Sequence, residues 1–184
     1  MLDELAIPSF SVPQYDLEEG ISIKEVAKRT RLRMGIPDGS IDDLAHFVEK
    51  SGVLIVEIDT NFEKFDAMTG KTQNGAIVIF LNGNMPKDRQ RFTLAHELGH
   101  IIMHIPFIDI APNRDVEKEA NQFASEFLMP ISDFKHDALH LNYYKLDTLK
   151  SYWKVSKQAI IYKAKQDGFI NDSEYKSLMV QLSM

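Results

Sequence analysis

Apolar positions along this chain recur with two different periods. Ile23, Val26, Ala27, Thr30 and Met34 fall on one face at helical spacing; Ser22 with Glu25 three residues later is a capping-box pattern, and Gly35 supplies the stop. A second helix is predicted from a Ser40 cap, with Ile41, Leu44, Ala45 and Val48 as its apolar face and Gly52 at its end. Val53–Ile58 and Ala76–Asn82 are short apolar runs rich in β-branched residues and read as strands, while the polar stretch Asp59–Gly75 predicts a loop, or a strand plus loop. Pro86 opens a long helix that runs to about His104 and stops before Pro106. An irregular link follows, then a helix over about Val116–Met129 that ends at Pro130. Further helices are predicted near Leu146–Trp153, from a Ser156 cap to Gln166 with Gly168 as its stop, and near Ser173–Leu182. The order predicts an α+β fold with three parts: an extended or loosely attached arm over 1–20, a core domain over 21–134, and a helical C-terminal extension over 135–184.

Composition narrows what such a chain can do. At 184 residues and 44% hydrophobic content it can bury a core without staples. The absence of cysteine excludes disulfides, thiolate zinc sites, iron–sulfur clusters and a cysteine nucleophile. The net charge of -6 argues against a general nucleic-acid binder. That charge is uneven: residues 1–134 hold 13 bases and 22 acids, whereas residues 135–184 hold 8 bases, all lysine, and 5 acids. The acidic N-terminus does not resemble a secretory signal, and the apolar runs fall short of the ~20 residues that span a bilayer, so a cytoplasmic protein is expected.

The chemistry centres on His96-Glu97-Leu98-Gly99-His100, an H-E-x-x-H motif on the long helix. Residues i and i+4 stand one turn apart on one face, so both imidazoles can point at a single Zn²⁺. Glu97 beside the first histidine is placed to act as general base on a metal-bound water. A third protein ligand is expected, and the helix at 116–129 offers two acids. Its apolar stripe is Ala120, Phe123, Ala124, Phe127 and Leu128; at ~100° per residue Glu117 lies ~55° from the stripe's centre and Glu119 ~105° away. Glu117 is therefore the preferred ligand, with Glu119 as the alternative and as a solvated face charge. Asn121, one turn after Glu117, can hydrogen-bond a ligand. His104 sits ~80° round the helix from His96 and is assigned a supporting or surface role. His136, His140, Tyr143 and Tyr144 are candidates for stabilising the oxyanion of a tetrahedral intermediate. Strand Ala76–Asn82, if at an edge, would align an extended substrate through Ile77–Leu81. The tail reads as helix, turn (Lys154-Val155-Ser156), helix; as a DNA reader it would present Lys157, Gln158, Lys163 and Lys165, and as a cap it would touch a protein partner.

The run Arg91-Phe92-Thr93-Leu94-Ala95-His96-Glu97-Leu98-Gly99-His100, with Glu117, Ala120, Asn121, Phe123, Ala124 and Leu128-Met129-Pro130 after it, resembles the ImmA/IrrE-type metallopeptidase family. So do the upstream order of elements and the segment from Trp153 through Gly168-Phe169; the resemblance spans roughly residues 20–170. It implies a zincin-like core, a small mixed sheet packed on the H-E-x-x-H helix, with a glutamate as third zinc ligand in the gluzincin manner. It further implies a cytoplasmic bacterial or phage-derived endopeptidase that cleaves a helix-turn-helix repressor encoded nearby and so derepresses genes. The competing expectation is a non-proteolytic, antitoxin-like regulator that binds DNA or a partner on the same scaffold. The intact Glu97 favours the peptidase, because a structural zinc needs no base. Nucleic acid and membrane are not expected partners.

Overall fold

The computed structural model describes residues 10–60, 65–106 and 110–183. The first helix, α1 (Ile23–Met34), starts where Ser22 Oγ accepts from Glu25 N at 3.2 Å and ends at Gly35 with φ 69°. Only half of the capping box forms, since the Glu25 carboxylate turns outward to Arg29 at 2.7 Å. Helix α2 (Leu44–Lys50) begins later than the sequence predicts. Its cap is Asp43, which accepts from His46 N at 3.0 Å, rather than Ser40. An Asp immediately before the periodic run outcompetes a Ser three residues upstream, and Ile41 is buried ahead of the helix.

Strands β1 (Val53–Ile58), β2 (Ala67–Lys71) and β3 (Ile77–Asn82) form one sheet in the order β1-β3-β2. β1 runs parallel to β3, and β2 is antiparallel to it in a hairpin whose turn uses Gly75 at φ 85°. β3 is thus the central strand, paired on both sides, and Ile77–Leu81 has no free edge on which to align a substrate. The expectation placed on it fails. The edge beside the long helix belongs to β2, whose short, polar sequence Ala67-Met68-Thr69-Gly70-Lys71 carries little strand signal.

One face of the sheet packs inward through Val53, Ile77, Ile79 and Leu81, while Leu54, Val56, Ile58 and Met68 on the other are exposed. Against the inner face lies α3 (Lys87–Met103), and α4 (Val116–Leu128) packs along α3. Gly99 permits that close approach: a Cβ there would stand 2.9 Å from Phe123 Cδ1 and 3.4 Å from Ala120 Cα. Pro130 then starts α5 (Ile131–Ala138), a helix the sequence reading leaves unassigned. Helices α6 (Leu146–Trp153), α7 (Lys157–Gln166, capped by Ser156) and α8 (Asp172–Ser183) complete the chain. Leu146, Trp153, Ile160, Ile161 and Leu178 belong to the same buried cluster as Leu98, Ile102 and Phe127.

One expectation narrows here and another changes. From residue 10 to Asp16 the N-terminal arm is extended, the first of the two forms expected, and it is attached to the core. Ser11 N donates to Ser51 O at 2.9 Å, Tyr15 N donates to Ile102 O at 3.0 Å, and Val12 is buried. Residues 1–9 lie outside the described part of the chain. In the tail, Lys163 is not a DNA-facing residue: it is buried and paired with Glu126, and with Asp167 at 2.9 Å. Lys150, Lys154, Lys157 and Lys165 pair with Asp88, Asp42, Asp147 and Asp172. Much of the tail's positive charge is therefore neutralised within the fold.

Candidate active site

α3 carries His96, Glu97, His100 and His104, and α4 carries Glu117, Glu119 and Asn121. One turn apart on α3, His96 Nε2 and His100 Nε2 approach to 3.0 Å, and because the Gly99 contact brings α4 close, each lies 3.3 Å from a Glu117 carboxylate oxygen. These ligand atoms all fall within 4.8 Å of one another. Four ligands at zinc–nitrogen and zinc–oxygen distances of about 2.0–2.1 Å define a tetrahedron with edges of roughly 3.3 Å, so the donor set fits such an ion.

The hydrogen bonds around the histidines decide which ring nitrogens are free. His96 Nδ1 lies 3.0 Å from Asn121 Oδ1, an acceptor, so the proton sits on Nδ1 and the Nε2 lone pair faces the cluster. His104 Nε2 lies 3.0 Å from Glu119 Oε2, and His104 Nδ1 lies 2.9 Å from His100 Nδ1. The Glu119 carboxylate accepts a hydrogen bond from His104 Nε2–H, so His104 Nδ1 accepts from His100 Nδ1–H and His100 Nε2 is left free. Arg114 closes the chain with Nη2 2.7 Å and Nε 3.1 Å from Glu119. Asp16 and Glu18 of the N-terminal arm flank Arg114 at 4.0 and 3.7 Å.

The electrostatics agree with neutral, ligating imidazoles. Burial, reinforced by neighbouring His96 and His104, pushes His100 down to about 4, against the opposing pull of Glu117. Burial also lowers His104 despite its bond to Glu119. At Glu119 burial pushes the carboxyl up, but the hydrogen bonds from Arg114 and His104 together outweigh it and hold the group below the usual carboxylate range.

This arrangement corrects the reading of the two acids. Glu119 is not a solvated face charge. Its side chain is 17% exposed and fully engaged with His104 and Arg114, whereas the Glu117 side chain is 69% exposed. Angular position relative to the apolar stripe misjudges them because both lie in the first turn of α4, where the helix edge rather than the stripe sets exposure. Glu119, the alternative ligand, bonds His104 instead of joining the cluster around His96 and His100.

Glu97 lies in a cleft of about 420 Å³ lined also by His96, Glu117, Asn121, Thr93, Arg89 and Ala67. Thr69 Oγ1 of β2 donates to Glu97 Oε2 at 2.5 Å. Sequence reasoning misses Thr69, since only the hairpin that places β2 beside α3 gives it meaning. None of His136, His140, Tyr143 and Tyr144 lines this cleft; Tyr144 is 90% exposed, and Tyr143 lies under the Lys157 ammonium.

Residues 48–165 match the peptidase M78 family, the IrrE N-terminal-like domain. The chain belongs to that family. The matched stretch contains α3 and α4, so the His96, His100 and Glu117 cluster lies within the peptidase-family domain. None of the curated proteins compared with this M78 chain matches it. Among solved structures, a Mycobacterium tuberculosis transcriptional regulator superposes with a TM-score of 0.56 at 20% identity, a likeness of fold. The match covers 77% of this chain and 45% of that one, so the M78 chain corresponds to less than half of that protein. No helix among the described residues is long and apolar enough to cross a membrane.

Proposed function

We propose that this M78 chain is a zinc-dependent endopeptidase with a zincin-like core, in which His96, His100 and Glu117 hold the metal and Glu97 is the general base. The observation that carries this reading is the convergence of two free imidazole nitrogens and one carboxylate, with a second carboxylate in the same cleft. Zinc bound there supplies a Lewis acid for the scissile carbonyl and lowers the pKa of the attacking water. Glu97 takes the proton from that water and returns it to the departing amine. Thr69 holds one oxygen of the carboxylate, which orients the other for this transfer. Asn121 and His104 keep the two imidazoles in the tautomers that ligation needs.

Among the described residues β2 pairs only with β3, and its other side is the natural place for an extended substrate backbone, taking over the role the sequence suggested for β3. The substrate we assign is a cytoplasmic helix-turn-helix repressor encoded nearby, whose cleavage derepresses its genes. The internal pairing of the tail lysines speaks against the alternative of a DNA-binding regulator.

The test is to mix the purified protein with the repressor encoded beside it, with zinc and with a chelator. Cleavage is expected with zinc only, and Glu97→Gln should abolish it while still binding about one zinc per chain. An intact repressor under every metal condition would remove the peptidase reading.

A further inference from the structure

A second cavity, of about 590 Å³, opens beside the metal cleft where α3, α4, α7 and α8 meet. Arg89, Phe92 and Asn121 line both spaces, so the two adjoin. The walls of the second are largely apolar: Phe92 from α3, Ala159 and Tyr162 from α7, and Tyr175 and Met179 from α8. One polar group stands out. Ser125 is 3% exposed and lines the cavity, yet its hydroxyl has no hydrogen-bond partner among the described residues. On α4, Glu117, Asn121 and Ser125 follow one another at successive turns, so a single helix face leads from the metal cluster into the cavity.

We propose that this cavity is the specificity subsite of the peptidase: it receives a bulky apolar side chain of the substrate, close to the scissile bond. The proposal rests on the peptidase reading and adds the substrate class. The volume lies within the range of small-ligand sites and holds a large side chain with part of its neighbour. Ring faces at Phe92, Tyr162 and Tyr175, with the Met179 thioether, favour aromatic and long aliphatic residues. It also gives the C-terminal helices a task that their internally paired lysines do not perform, since α7 and α8 build most of the apolar wall.

The experiment uses full-length, zinc-loaded Glu97→Gln protein and a library of fluorescent randomised peptides. Bound peptides should be enriched in Phe, Tyr, Trp, Leu or Met at one fixed position. Ala159→Trp, which fills the cavity, should erase that enrichment without changing zinc stoichiometry. Tyr162→Ala, at a half-exposed ring, should weaken the selected peptides by about three- to tenfold. No enrichment, or an enrichment that survives both substitutions, would overturn the proposal. The selected peptides are then given to the protein with Glu97 intact. Peptides that bind through this cavity but stay uncut refute the peptidase reading, whereas cleavage without apolar preference refutes the subsite alone.

Discussion

The two ends of α4 each present a carboxylate to neighbouring helices, and they are completed in opposite ways. Near its C-terminal end Glu126 is buried; one oxygen accepts from Ile131 N at 3.0 Å and the other meets the Lys163 ammonium, which Asp167 also holds at 2.9 Å. Lys24 of α1 adds a further cation 2.9 Å from Asp167, and that hydrogen bond raises the Lys24 pKa. Every charge there is answered from within the chain. At the N-terminal end Glu117 faces two imidazole nitrogens and no ammonium or guanidinium within ion-pair distance among the described residues. Its neighbour Glu119 takes Arg114 for itself. Water can solvate this exposed carboxylate, but two imidazole nitrogens converging on it offer a divalent cation a ready ligand set. One helix thus separates a closed, structural ion cluster from an open one that invites a metal.

The sharpest way to break this contrast is to open the closed end. Lys163→Met leaves Glu126 and Asp167 buried without their shared cation, and should cost about 3–5 kcal/mol of unfolding free energy in urea denaturation. Zinc uptake by the folded fraction should be unchanged. A stability loss under 1 kcal/mol would mean that the cluster is not the closure described. The converse is to close the open end. Asn121 is exposed and one turn from Glu117, so Asn121→Lys offers that carboxylate an internal partner at i+4. Zinc affinity should fall by more than about a hundredfold with stability nearly unchanged. Asn121→Ala, which removes only the bond to His96, should cost about tenfold. Equal losses from the two substitutions would refute the charge argument and leave only the orientation of His96.

A smaller effect is expected where the helices touch. Gly99→Ala inserts a methyl 2.9 Å from the Phe123 ring and should destabilise the fold by about 1–3 kcal/mol while pushing α4, and Glu117 with it, away from the histidines. Differential denaturation with and without zinc reads both effects, and an unchanged zinc-dependent increment would separate packing from ligation. Gly99 also marks what was legible in the chain. α3, α4, α6 and α7 were readable because their caps, prolines and apolar spacing agree, and the i, i+4 histidines follow from helix geometry alone. β2 and its Thr69 were not, since Ala67–Lys71 lacks both alternation and β-branched density, and its strand character comes from pairing with β3. The Asp43 cap, the α5 helix and the reversal in exposure of Glu117 and Glu119 depend on competition between nearby residues, which periodicity does not resolve.

The smallest expected effect lies furthest from the ligands. Arg114 touches no imidazole, but it holds Glu119, which holds His104, which fixes the proton on His100 Nδ1. Arg114→Ala keeps each of those groups and removes only the anchor. If the chain works as an orienting device, zinc should dissociate about tenfold more readily, the lower end of the range for supporting groups around a metal. The open and closed ends of α4 then differ in one more respect: the open end depends on a relay that reaches the N-terminal arm, through Asp16 and Glu18 beside the same guanidinium. Substituting both of those acids by their amides should reproduce a fraction of the Arg114→Ala effect, measured as zinc dissociation against a chromophoric chelator. The same pair should leave the Lys163 cluster untouched, so the unfolding free energy of the metal-free protein serves as the internal control. A change in that control larger than the change in zinc dissociation would show that the arm braces the fold rather than the metal ligands.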